Sequence, residues 1–449
     1  MQSRSLWAFL VVAVVVSPGG QQFAAAQGTS PTAAQHENLT RYDGPPLTLR
    51  AALAEVLEKN PELVALRAEL QAARERPAQE RSLAPPMLEA TIWQWPVNTL
   101  NPANTNMYMF MATQELPGRG KRALRATVAE RDVAIAQNDI DARALHVLDE
   151  VRRAYAQLFV SRRAIEIHLA NVNLLRQFAD VSQAKYTTGR ISQQDVLKPV
   201  VELSRLHGDI IMLDQEAKTA TAKLNTLLDR PIESPIGPLD EPHEQTLLPP
   251  VAELQRQALE RQPEIQGTRL AVGRAEAALA VVRRDYKPDF NVQAGYLVMP
   301  QQTDALLARV GITWPNAPWS RGRIDARVRE ASAEVDAAKA RQKVLENALR
   351  FAVQEAYVRV KAAEERAALL RTTIVPQSQQ TLEVSRVAYQ ADRVDFLALL
   401  DNERVLLNTQ LEYVRALNDF EQAMADLERA VGTEISRDMP RSADREERR

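Results

Sequence analysis

From Leu349 onward, apolar residues fall at alternating intervals of four and three: Leu349, Val353, Ala356, Val360, Ala363, Ala367, Leu370 and Ile374. Leu148, Val151, Tyr155, Leu158, Ile165, Leu169 and Val172 follow the same rule, interrupted by Arg162. Leu406, Gln410, Tyr413, Leu417, Phe420, Met424, Leu427 and Val431 repeat it near the end of the chain. This spacing predicts helices packed lengthwise in coiled-coil seams, and the many small residues let them approach closely. Residues 121–188 and 323–390 contain no Gly and a single Pro, at 376, so each is expected to run as one helix of about 100 Å. Shorter helices are expected to return from Ile191 and Val394.

A different period precedes each long helix. Phe290, Val292, Ala294, Tyr296 and Val298 share one face of a strand, with Asn291, Gln293 and Gly295 opposite. Four extended segments are expected: Met87–Val97 and Asn106–Leu116, then Asp289–Met299 and Asp304–Trp314. Turn residues separate them at Asn98-Thr99-Leu100-Asn101-Pro102 and at Pro300-Gln301-Gln302. Each segment rises roughly 33 Å, enough to cross a bilayer when tilted. Helices at Leu47–Ala73 and Val251–Val282 lead into them.

The chain is one unit written twice. Asn60-Pro61-Glu62-Leu63 returns as Gln262-Pro263-Glu264-Ile265, and Pro86 as Pro288. Arg119-Gly120 returns as Arg321-Gly322 and Ala154-Tyr155 as Ala356-Tyr357, all at an offset of 202. Tyr186 and Tyr389, then Arg190-Ile191 and Arg393-Val394, stand 203 apart. A constant offset of this kind marks a structural repeat. Residues 47–245 and 246–435 are therefore read as two copies, joined by the Pro-rich stretch Pro231 to Pro250. Two hairpins leave open strand edges, which lipid does not tolerate. Three chains would close a twelve-stranded barrel.

Composition agrees with long helices: aromatic residues are 5%, Gly numbers 15, and acidic and basic residues stand at 58 against 56. Such balance offers no field for nucleic acid or anionic lipid. Arg4, the apolar run Leu6 to Val16 and Ala24-Ala25-Ala26 read as a signal peptide over 1–26, followed by an extension over 27–46. There is no Cys, so neither a disulfide nor a cysteine-linked lipid anchor is expected. The acidic-basic tail at 436–449 is expected to be disordered.

Taken together, these features resemble the TolC family of outer-membrane efflux ducts over essentially the whole mature chain. The doubled order of helix, hairpin, long helix and return helix carries the resemblance. So do Tyr186-Thr187-Thr188-Gly189-Arg190-Ile191-Ser192 and Gln114-Glu115-Leu116-Pro117-Gly118-Arg119-Gly120-Lys121-Arg122, the latter similar to the heavy-metal-efflux branch. The resemblance implies an α+β membrane protein. It would be a homotrimer whose twelve-stranded β-barrel, four strands per protomer, sits in outer-membrane lipid and continues as a periplasmic α-helical barrel. It implies a passive duct for heavy-metal cations or small toxic compounds, served by a periplasmic adaptor and an inner-membrane RND-type pump. No cofactor and no nucleic acid are implied.

By the same resemblance the turns far from the membrane form the entrance. Asp195 and Asp401 match the family's two gating aspartates, while Lys198 and Ala398 replace their complements; Asp395 is a further acid. The other expectation for these acids is a plain helix start, favoured by the helix dipole. Gly189, Arg190, Ile191 and Ser192, with Asp392, Arg393 and Val394, are the expected adaptor-contacting tips, Gly189 with a positive φ. Met107, Met109 and Met111 share a strand face; thioethers suit monovalent copper or silver, but a plain apolar or lumen-lining face is the reading taken. His36, His146, His168, His207 and His243 lack ligand spacing. No phosphate loop, nucleophile elbow or zinc-protease motif is present, so no enzyme is expected. A protein-secretion duct of type I and a pore-less periplasmic scaffold are the alternative readings.

Overall fold

The computed structural model describes residues 42–435 except 96, 99, 100, 102, 103, 242–247 and 301. The expected signal peptide, the extension up to residue 41, the 436–449 tail and the boundary between 245 and 246 lie outside the described residues. So do Thr99, Leu100, Pro102 and Gln301 of the expected turns, and His36 and His243.

The first copy runs α1 (Leu49–Lys59), α2 (Pro61–Arg74), α3 (Arg76–Arg81), β1 (Met87–Trp93), β2 (Met107–Leu116), α4 (Lys121–Thr187) and α5 (Gln193–Leu227). The second runs α6 (Val251–Arg261), α7 (Pro263–Arg284), β3 (Phe290–Val298), β4 (Ala305–Ile312), α8 (Arg321–Leu369), a π turn (Leu370–Ile374), α9 (Val375–Gln390) and α10 (Phe396–Val431). The doubled order expected from the repeat is present. At 67 residues, α4 extends about 100 Å.

Several elements differ in detail. Each leading helix, expected as one piece, breaks before a proline, because proline pushes the preceding residue out of the α region. Asn60 takes ψ 122° and accepts from the N–H groups of Glu62 and Leu63 at 3.1 and 3.3 Å. Gln262 does the same with ψ 123°, capping Ile265 N–H at 3.1 Å. The second long helix is interrupted by the π turn just ahead of Pro376, whose ring and missing N–H cannot continue an α ladder. The Arg-Gly pairs also diverge: Gly120 caps α4 with φ 87°, whereas Gly322 lies inside the first turn of α8.

The strands pair antiparallel in the order β1-β2-β3-β4, leaving β1 and β4 as open edges. They are shorter than expected; β1 ends at Trp93, where Gln94 takes φ 57°. Register separates two faces. Leu88, Ile92, Phe110, Val292, Tyr296, Leu306, Val310 and Ile312 stand on one, all exposed. Glu89, Thr91, Thr113, Glu115, Asn291, Gln293 and Arg309 stand on the other, and Met107, Met109 and Met111 are on this polar face.

The sheet is tied to the helices where β2 leaves it. Gly118 N–H donates to Asp289 Oδ1 at 2.6 Å, and the buried Lys121 pairs with the same carboxylate at 2.9 Å. The Gly118–Lys121 segment thereby clamps the exit of the first hairpin to the entry of the second.

Two cores repeat each other. Ala52 and Val56 of α1 pack with Val147, Val151 and Leu158 of α4 and Leu224 of α5. Leu254 and Ala258 of α6 pack with Leu349, Val353 and Val360 of α8 and Phe420, Met424 and Leu427 of α10. The expected seams are thus the ones buried. Arg162, the interruption in the α4 seam, is itself buried, donating to the carbonyls of Gly237 and Ile236 at 2.6 and 2.7 Å beneath the Tyr42 ring. No described helix is long and apolar enough to cross a membrane.

Candidate functional site: the helical tips

Both turns end their helices the same way. In the first, Gly189 at φ 70° donates to the Tyr186 carbonyl, and Arg190 N–H reaches Lys185 O at 3.0 Å. In the second, Asp392 at φ 56° donates to Tyr389 O, and Arg393 N–H reaches Ala388 O at 2.9 Å. These are Schellman closures, which require a left-handed residue after the helix. Glycine adopts it freely; aspartate does so against its Cβ.

Asp392 is held there by charge. Lys185 donates to its carboxylate at 2.6 Å and Arg190 at 3.2 Å, so one turn grips the other. The hydrogen bond from Lys185, with the nearby positive charges, keeps the Asp392 carboxyl below the usual aspartate range. Lys185 also donates to Tyr389 O and lies 4.0 Å from the centre of the Tyr389 ring. Ser182 and Phe396 complete the surroundings of Tyr389, by a 3.2 Å hydroxyl contact and an edge-on ring contact at 5.7 Å.

Arg190, Ile191, Ser192, Asp195, Asp392, Arg393, Val394 and Asp395 all line one open depression of about 690 Å³. Gly189 and Asp401 are not among its lining residues. The structure thus brings together most of the tip residues picked out in the sequence. Their individual bonding differs. Asp195 accepts from Ser192 Oγ at 2.9 Å and from Lys198 at 3.3 Å, both within the start of α5. Asp395 caps α10, accepting Ala398 N–H at 2.9 Å. Asp401 stands exposed two turns into α10.

A second cluster escaped the sequence reading. Glu202 of α5 and Glu403 of α10 are 3% and 0% exposed, beside a groove of about 590 Å³ bordered by Lys198, Leu397, Leu400 and Arg404. Glu202 is paired with Arg404 at 2.6 Å and Arg205 at 3.6 Å. Both Glu403 oxygens are buried without a partner. Burial, reinforced by the Glu202 charge, pushes the Glu403 carboxyl up to about 7. The signal was present: extending the α10 seam back from Leu406 by three lands on Glu403, and on α5 four back from Leu206 lands on Glu202. Among the described residues no group of three or more His, Asp or Glu is placed to hold a metal ion.

A family model described as outer membrane efflux protein matches residues 52–230 and 254–433. The cobalt-zinc-cadmium resistance protein CzcC of Cupriavidus metallidurans is 23% identical over 431 residues, covering 94% of this chain and 99% of that relative. The open state of the MtrE outer membrane channel of Neisseria gonorrhoeae gives a TM-score of 0.71 at 18% identity, covering 87% of this chain and 90% of that one. The outer membrane protein VceC of Vibrio cholerae gives 0.69 at 18% identity, with 86% and 97% covered.

Proposed function

The chain belongs to the outer membrane efflux protein family, and from that membership we propose a trimeric duct that passes metal cations out of the periplasm. It is an efflux channel of the outer membrane rather than an enzyme, and its helices occupy the periplasm. The observation that carries the duct is the two-faced sheet. Its apolar face suits lipid, its polar face suits a water-filled bore, and its open β1 and β4 edges need partners. Three protomers joined edge to edge supply twelve strands with no edge left. A pore-less scaffold would have no use for such a sheet.

The metal cargo rests on the resemblance in sequence to a protein named for cobalt, zinc and cadmium resistance. That relative favours metal export over protein secretion. Residues 47–245 and 246–435 act as the two copies of each protomer, behind a cleaved leader at 1–26. A periplasmic adaptor docks on the tips, at Gly189, Arg190, Ile191, Ser192, Asp392, Arg393 and Val394, and an RND-type pump loads the duct through it. Asp195, Asp395 and Asp401 each become a ring of three under threefold symmetry, drawing cations to the entrance.

Deleting the gene and measuring tolerance to cobalt, zinc and cadmium tests the cargo. Planar-bilayer recording on the purified protein tests the duct. Unchanged tolerance with normal conductance removes the metal cargo; absent conductance removes the duct.

A further inference from the structure

Met107, Met109 and Met111 occupy alternate positions of β2 on the polar face, each partly exposed, about 7 Å from the next along the strand. The corresponding face of β1, β3 and β4 carries Glu89, Thr91, Asn291, Gln293 and Arg309 together with the apolar Met87, Trp93, Leu297 and Leu307, and Leu297 lies opposite Met109. Two neighbours of the thioether row suit a cation. Glu89 stands opposite Met111, and the exposed Trp93 opposite Met107 offers an aromatic ring to a positive charge. On the other side of Met111 the register places Gly295, and the sulfur lies in the space that a side chain there would fill.

We propose that these thioethers form a ladder of weak, exchangeable contacts for soft monovalent cations, Cu(I) or Ag(I), in the wall of the bore; this rests on the duct reading above. Thioether sulfur prefers such ions, and neighbouring methionines on one strand face can converge on one two-coordinate ion. Threefold symmetry repeats the ladder around the bore. Because each contact is neutral and soft, an ion passes from one sulfur to the next, whereas an anionic thiolate would retain it.

The test titrates the purified trimer with silver nitrate in chloride-free detergent solution, reading ¹³C-methyl methionine resonances and following binding by calorimetry. Saturable binding is expected, with the three β2 methyl resonances moving. It is expected to weaken at least tenfold in Met107→Leu/Met109→Leu/Met111→Leu. Met109→Leu alone, a smaller change, is expected to weaken it at least threefold and serves if the triple variant does not trimerise. Zinc nitrate must leave the same resonances unmoved. Undiminished silver binding in the leucine variants, no binding in the wild type, or equal movement with zinc each overturns the ladder. Planar-bilayer conductance on the same samples separates the two readings. A conducting trimer that ignores silver ends the ladder and leaves the duct. A non-conducting one removes the duct and with it the ladder's place in a bore.

Discussion

Lys185, in the last turn of α4, donates to the Asp392 carboxylate of the opposite turn at 2.6 Å, joining tips that lie 207 residues apart. Asp392 holds a left-handed backbone conformation that glycine holds in the first copy. The carboxylate, not the backbone, is therefore the reason for aspartate there. Asp392→Gly keeps the turn and removes both ion pairs. We expect single-channel conductance at least twofold higher, with a thermal midpoint within about 2 °C of wild type, because the Asp392 carboxylate is half exposed and ion pairs open to water contribute little to stability. Unchanged conductance would mean that this grip does not restrain the entrance.

The acids divide by their bonding. Asp395 is a helix cap, so Asp395→Ala is expected to lower stability by about 1 kcal/mol per protomer and Asp395→Ser to restore it, in chemical denaturation. Asp401 is exposed and Asp195 is satisfied by Ser192 and Lys198 on its own helix. Asp195→Ala with Asp401→Ala should abolish block by a trivalent cation while trimers persist. Undiminished block would locate the constriction elsewhere along the bore.

Glu403 makes stability depend on pH. Its carboxyl rises from 4.5 to about 7 on folding, so the folded state keeps a proton that the unfolded state loses. Stability contributed by that proton is full below about 4.5, falls as pH rises to about 7, and is level above. The total is on the order of 3 kcal/mol per protomer. Glu403→Gln should flatten the fall between pH 5 and 7 in denaturant midpoints. A wild-type profile already flat in that window would show that Glu403 is not protonated in the fold.

The open edges predict the stoichiometry. Paired cysteines, one on β1 and one on β4, introduced into a chain that has none, should give on bismaleimide treatment a covalent ladder ending at three. A ladder ending at two, or unlimited polymer, would rule out a closed twelve-stranded barrel.

Much of this protein is written locally. The four-three spacing from Leu349 to Ile374 determined a buried seam, because helix geometry alone puts those positions on one side. The offset of 202 between Asn60-Pro61 and Gln262-Pro263 determined the doubling, whereas the helix breaks at those prolines depart from the single leading helices expected. Alternation in β3 determined its faces, since a strand has period two. Other facts depend on what comes alongside. The residues of β2 alternate too weakly to declare a lipid side; their register with β3, through Met111 opposite Gly295 and Gln114 opposite Val292, assigned the methionines to the polar face. Asp195, Asp395 and Asp401 are one residue type in similar sequence settings, and only the folded turns distinguish a capping acid from an exposed one. Glu202 and Glu403 read as ordinary charges on separate helices. Tertiary packing alone removed both from water and placed their charges near each other, because the desolvation that moves a pKa belongs to the surroundings and not to the residue.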